Sequence, residues 1–374
     1  MNHVAYAAQR ALALDSSPVV PADPMERTGF DIGWDHAHHG LVPPAEVLHA
    51  GTPVAQGWMA GKAVFGARRL APTRFTRQWL ALRLLAWRLG IAFDAEQVSA
   101  NYLSQVHGTR CPVTRTPLGG AVGQPDAAQL ERLNPQAGFA AGNLATISHR
   151  AAQARAGFSV QQAVRQARAQ EAGAALAGGL DAAAWWRLAV LQSFATPLPF
   201  AEAACLPLAV LPPNRVRLLN AAQGLQALVT MLFATPGWST RCRALAGLLP
   251  AHTLRLDFNL FVGALAPRVL EADRESTALR LALEDAWLQE RVQRRWQHFV
   301  LSLGEAATER LLESAAAAGL AGVRTLSHRP DQAVEGWGLP DKAPTRRAVR
   351  APAIVLPQSP GLESQRDRQA QSMC

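Results

Sequence analysis

The sequence predicts a mainly α-helical protein carrying one small α+β module, on three observations. Residues 181–330 repeat apolar side chains at helical spacing almost throughout. Residues 72–105 do the same in a shorter stretch. Between Cys111 and Arg155 the pattern changes to short extended segments and Gly-containing turns, followed by a helix.

In chain order, residues 1–27 hold prolines at 18, 21 and 24 with little periodicity and read as a flexible arm. Phe30 to Pro44 reads as an irregular loop. Pro72 then opens a helix whose stripe is Phe75, Trp79, Leu82, Ala86 and Leu89, and Gly90 ends it. Asp94 and Gln97 suit a capping box for a short helix through Gln105. Cys111 to Thr114 and Leu118 to Gly120 read as short strands. From Ser148 one helix is expected to run toward Ala175, with Gly178 and Gly179 breaking the pattern. The longest predicted helix spans about 274–303, with Leu288, Val292, Trp296, Phe299 and Leu303 on one stripe. Pro- and Arg-rich residues 331–374 read as a disordered basic tail. The expected divisions are thus an arm (1–27), the module with its preceding helices (28–157), a helical domain (158–330) and the tail.

Composition narrows the class. The formal net charge is +9, and 35 of the 37 basic residues are arginine, which favours a polyanionic partner, nucleic acid first. The same arginine excess is what a GC-rich coding sequence produces. Cys111, Cys205, Cys242 and Cys374 are far apart and form no Cys-x-x-Cys pair, so neither a zinc ribbon nor a disulfide framework is indicated. A reducing cytoplasm is the natural setting for such thiols. Residues 218–240 lack charge but include Asn220, Gln223, Gln226 and Thr230, which fits a buried helix better than a membrane span. No phosphate-binding Gly-rich loop, Gly-x-Ser-x-Gly elbow or His-Glu-x-x-His occurs.

The informative stretch reads Leu130-Glu131-Arg132-Leu133-Asn134, Gly138-Phe139, Gly142-Asn143-Leu144, then a helix from near Ser148. It resembles the HNH endonuclease superfamily, in the branch written Asp-Arg-Ile-Asp, Gly-Tyr, Gly-Asn and helix. The resemblance covers about residues 108–157 and implies a ββα-metal fold. It also implies a general base at the end of the first strand and a divalent metal, Mg²⁺ or Zn²⁺, that neutralises the leaving oxyanion. A metal ligand falls on Glu131, the base on Arg132, the loop-tying residue on Asn143 and the helix ligand on Ala152. Arginine stays protonated and alanine ligates nothing. The resemblance therefore implies a nucleic-acid-binding scaffold, DNA ahead of RNA, with impaired catalysis.

Other residues bear on that reading. His149 lies one turn before Ala152 and would be the nearest substitute base or ligand beside Glu131. The His36, His38 and His39 cluster, expected in a loop, would be a second source of imidazoles. Either would support an active metal-dependent endonuclease. Phosphate contacts are expected from Arg150 and Arg155 on the helix after Ser148, with Arg165 and Arg168 beyond, and from Arg74 and Arg77. The third reading is a helical interaction protein in which the module is only a folding unit.

Overall fold

A computed structural model describes residues 23–271 and 276–320, except the side chains of residues 269, 270, 276 and 277. The expected basic tail, residues 321–330 of the helical domain and most of the N-terminal arm lie outside the described residues. The chain divides after Arg88 into two compact units.

The first unit is a helical layer. Helix α1 (Pro24–His38) begins inside the expected arm, because Asp23 caps it by accepting from the Met25 amide and Pro24 fills its first turn. His36 and His38 belong to this helix, and His39 caps its end, so the expected loop is helical. Helix α2 (Pro53–Phe65) starts at Thr52, whose hydroxyl accepts from Ala55 N. The two helices meet through glycines. A Cβ at Gly33 would strike the Val54 carbonyl, and one at Gly57 would strike the Phe30 carbonyl. Only glycine permits so close a backbone approach. Helix α3 (Arg74–Leu89) buries Leu80, Leu82, Leu84 and Ala86. Phe75 and Trp79, expected on the same buried stripe, stay half-buried beneath Arg74 and Arg83. Leu84 joins Ile32, Val47 and Val54 in a small core against which Trp87 packs, and Arg83 pairs with Asp35.

Among its described residues the second unit is mainly helical, with one two-stranded antiparallel sheet. Asp94 caps only a turn, accepting from Gln97 N, and the short helix α4 (Ala100–Val106) starts later, at Ser99. Neither Cys111 to Thr114 nor Leu118 to Gly120 forms a strand. Between them is a tight turn closed by Cys111 N→Thr116 O (2.9 Å) and Arg115 N→Cys111 O (2.8 Å), with Arg115 in the left-handed region at φ 60°. Strands β1 (Ala128–Arg132) and β2 (Leu144–Ser148) pair with Ala128 opposite Ser148, Leu130 opposite Thr146 and Arg132 opposite Leu144.

Helix α5 (His149–Arg155) follows directly, capped by Ser148. The single long helix expected here is two, because Gly157 takes φ 84° and Ser159 opens α6 (Val160–Glu171) with a capping box. Then come α7 (Ala182–Phe194), α8 (Phe200–Cys205), α9 (Ala221–Phe233), α10 (Trp238–Gly247) and α11 (His252–Glu271). The expected 274–303 helix is also divided, into α12 (Ser276–Ala286) and α13 (Glu290–Leu303), before α14 (Glu305–Ala317).

The α12–α13 break turns Trp287 into the core. There its ring meets Trp296 at 5.3 Å and Phe261 at 5.4 Å, and its Nε1–H donates to Thr230 Oγ1 at 2.9 Å. Val292, Trp296, Phe299 and Leu303 do line the buried stripe. Helix α9 is buried along nearly its whole length. Asn220, Gln223 and Thr230 are satisfied from within, for example Gln223 Nε2→Ser193 Oγ, while Gln226 donates Nε2 to Leu206 O and leaves its Oε1 without a partner. Among the described residues no helix is long and apolar enough to cross a membrane. One apolar core runs from Cys111, Val113, Leu133 and Ile147 of the hairpin region into α7, α9, α11 and α13. The sequence suggested a division near residue 157; the hairpin and the helices after it share this core instead.

Candidate functional site

The site is built on the 11-residue connection from Leu133 to Asn143, between β1 and β2. Asn143 is fully buried and its amide makes three bonds across the loop. Nδ2 donates to Asn134 O (3.0 Å) and Gly138 O (2.9 Å), and Oδ1 accepts from Asn134 N (2.8 Å). Leu133 N also donates to Asn143 O at 2.7 Å, closing the neck of the loop. Gly142 sits at φ 95°, and a Cβ there would collide with the Arg217 side chain. Its amide donates to the Tyr102 hydroxyl at 2.7 Å. Loop-tying is thus the work Asn143 performs.

Arg132, at the end of β1, is a brace. Its Nη1 donates to Pro135 O (2.9 Å) and Ala137 O (2.8 Å), and its guanidinium lies 4.9 Å from the Phe139 ring centroid. Burial lowers its pKa, and the nearby Arg155 charge adds to that, with Glu131 opposing. It stays a cation and cannot take a proton from water.

Gln129 and Glu131 alternate onto one face of β1, which α5 crosses. His149 stands over Gln129, and Arg155 stands over Glu131. His149 Nδ1 lies 3.1 Å from Gln129 Oε1, while Gln153 Nε2 donates to His149 Nε2 at 2.7 Å, which leaves the ring proton on Nδ1. Both nitrogens are therefore engaged, and the imidazole has no free lone pair for a base or ligand role at Glu131. Arg155, expected on a nucleic-acid face, is instead buried. Nη1 donates to Glu131 Oε2 and Nη2 to Leu133 O, each at 3.0 Å. Burial raises the Glu131 pKa, and Arg155 and Arg132 pull it back down. Burial also lowers the Arg155 pKa, against the pull of Glu131.

Cys111 contributes a role with no signal in its spacing. Its Sγ accepts from Ser148 N (3.2 Å) and Thr114 N (3.4 Å), pinning the turn before the hairpin to the start of α5. Arg115 extends from the same turn to α12, bonding Asp285 Oδ2 at 2.9 Å and Glu284 Oε2 at 3.1 Å.

The donor set does not suit a divalent metal. One Glu131 oxygen holds Arg155, Ala152 carries no donor, and the His149 nitrogens face amides. Among the described residues no group of three or more His, Cys, Asp or Glu is disposed to hold a metal ion. In the first unit, His36 is buried with Nδ1 on Ile32 O (2.7 Å), and burial lowers its pKa. His38 stacks on Phe65 at 4.3 Å. Of the expected phosphate contacts, Arg150, Arg165 and Arg168 are exposed on α5 and α6, and Arg74 and Arg77 are exposed on α3 of the other unit. Comparison with models of known families, with curated proteins and with solved structures gave no match to this chain.

Proposed function

We propose that this chain is a nucleic-acid-binding protein on an HNH-like hairpin–helix scaffold, with phosphodiesterase chemistry impaired. One observation carries the reading: a loop tied by a buried Asn143 amide joins β1 to β2 and α5, with Arg132 at the end of β1, the position where the resemblance expects a proton acceptor. Cleavage needs a base and a metal anchor, and Arg132 and Ala152 supply neither. Binding needs only cations that meet phosphates, and Arg150, Arg165 and Arg168 are exposed for it.

Gel shifts on duplex DNA and on RNA test the binding half. Affinity should fall steeply with salt, and each phosphate contact removed by Arg150→Glu or Arg165→Glu should flatten the logarithmic salt slope by about 0.9 on DNA. DNA is the expected preference. A salt-independent affinity, or one untouched by these changes, counts against the reading. Plasmid nicking with Mg²⁺, Mn²⁺, Zn²⁺ or Ni²⁺ tests the catalytic half: robust cleavage abolished by Glu131→Ala would restore the active endonuclease.

A second reading, a helical interaction protein in which the hairpin is a folding unit, draws support from the core shared by hairpin and helices and from the Arg115 link to α12. Failure to bind either nucleic acid would select it.

A further inference from the structure

We infer that Arg155 is a built-in counter-cation for the β1–α5 junction, a guanidinium fixed to the oxygens on which a divalent ion would otherwise depend. Two oxygens converge on it, one from the Glu131 carboxylate and one from the Leu133 carbonyl, each 3.0 Å from a different terminal nitrogen. A carboxylate beside a backbone carbonyl is also a donor pair that a hard cation uses. Here the planar fork meets each oxygen with a different terminal nitrogen, an arrangement a guanidinium allows.

The local charge opposes a second cation, because the single carboxylate of Glu131 already faces both Arg155 and Arg132. Position explains what the arrangement achieves. Leu133 is the residue whose amide closes the loop on Asn143 O, so Arg155 ties the end of α5 to the neck of that loop. Arg155 is in this sense a positioning residue. Its cation is covalently tethered, so the junction closes without metal supply. The inference rests on the hairpin–helix geometry and stands whether or not nucleic acid binds.

Thermal unfolding of the full chain tests it, with Mn²⁺, Zn²⁺, Mg²⁺, a chelator or none. The wild-type Tm should be unchanged in all five conditions. Arg155→Ala should lower Tm by several degrees, and millimolar guanidinium should recover part of the loss beyond a sodium chloride control of equal ionic strength. In Glu131→Gln/Arg155→Ala the recovery should vanish. Should Arg155→Ala not fold, Arg155→Lys keeps a cation for Glu131 and should unfold between wild type and the alanine variant, again without response to metal. Stabilisation of the wild type by Mn²⁺ or Zn²⁺ that Glu131→Gln abolishes would overturn the inference. So would guanidinium recovery equal in the single and double variants.

Discussion

At the residue scale, the hairpin loop depends on few side chains, and their contributions separate by chemistry. Asn143→Ala leaves two carbonyls and one amide of a buried loop unpaired, so a loss of about 3 kcal/mol is expected in urea unfolding. Asn143→Asp should recover little of it, since a carboxylate offers no donor to Asn134 O or Gly138 O. Equal stability of the Asp variant and wild type would mean that the amide donors are dispensable. Glu131 makes a second case. Its raised pKa means that the folded state keeps a proton at pH values where the unfolded chain has released it. Stability tied to that proton is present in full below the ordinary glutamate value, about 4.3, and is lost as pH rises through the raised one. The stability advantage of wild type over Glu131→Gln should therefore shrink as pH climbs from about 4. A difference that grows with pH would show the Arg155 pairing outweighing burial.

At the element scale, the outcome depends on whether a boundary is signalled locally. A loop-tying Asn143 between two strands was implied by the family resemblance carried on Gly138, Gly142 and Asn143, and spacing alone would not have marked it as a buried amide. Helix α1 was missed although Asp23-Pro24 is a capping signal, because Gly29 and Gly33 weaken its apparent helix propensity. Those glycines serve packing, which only the partner helix reveals. The break at Gly157 has a local mark, whereas the one at Trp287 has neither Gly nor Pro and arises from the tryptophan entering the core. Burial of Arg155 was illegible for a related reason: on α5 it looks like any exposed arginine until the strand beneath it is known. The glycine contacts yield a paired prediction. Gly57→Ala must push α2 off the Phe30 carbonyl and should cost about 3 kcal/mol. Gly263→Ala, in α11 with open space around it, should stabilise by about 0.5–1 kcal/mol. Denaturant midpoints of the two variants shifting the same way would refute this account.

At the scale of the whole molecule, the hairpin is not an appendage of the second unit. Its residues enter the same core as α7 and α9, and Arg115 carries a charge link to α12. Glu284 is buried with the Arg115 and Arg280 guanidiniums and the Leu211 amide around it. Arg115→Ala removes one of those partners and should cost about 2 kcal/mol, reduced because the arginine is partly solvated. A double-mutant cycle with Glu284→Gln should show coupling between hairpin and helices; strict additivity would mean that the two behave independently.

Tyr102 gives the protein an optical sensor it was not built for. The chain has two tyrosines, and the hydroxyl of this one receives the Gly142 amide while burial raises its pKa. The Gly142 N–H favours a phenolate at that oxygen, so it is burial that holds the Tyr102 phenol protonated. In a Tyr6→Phe background, ultraviolet phenolate absorbance becomes a direct readout of when water reaches the buried Tyr102 ring.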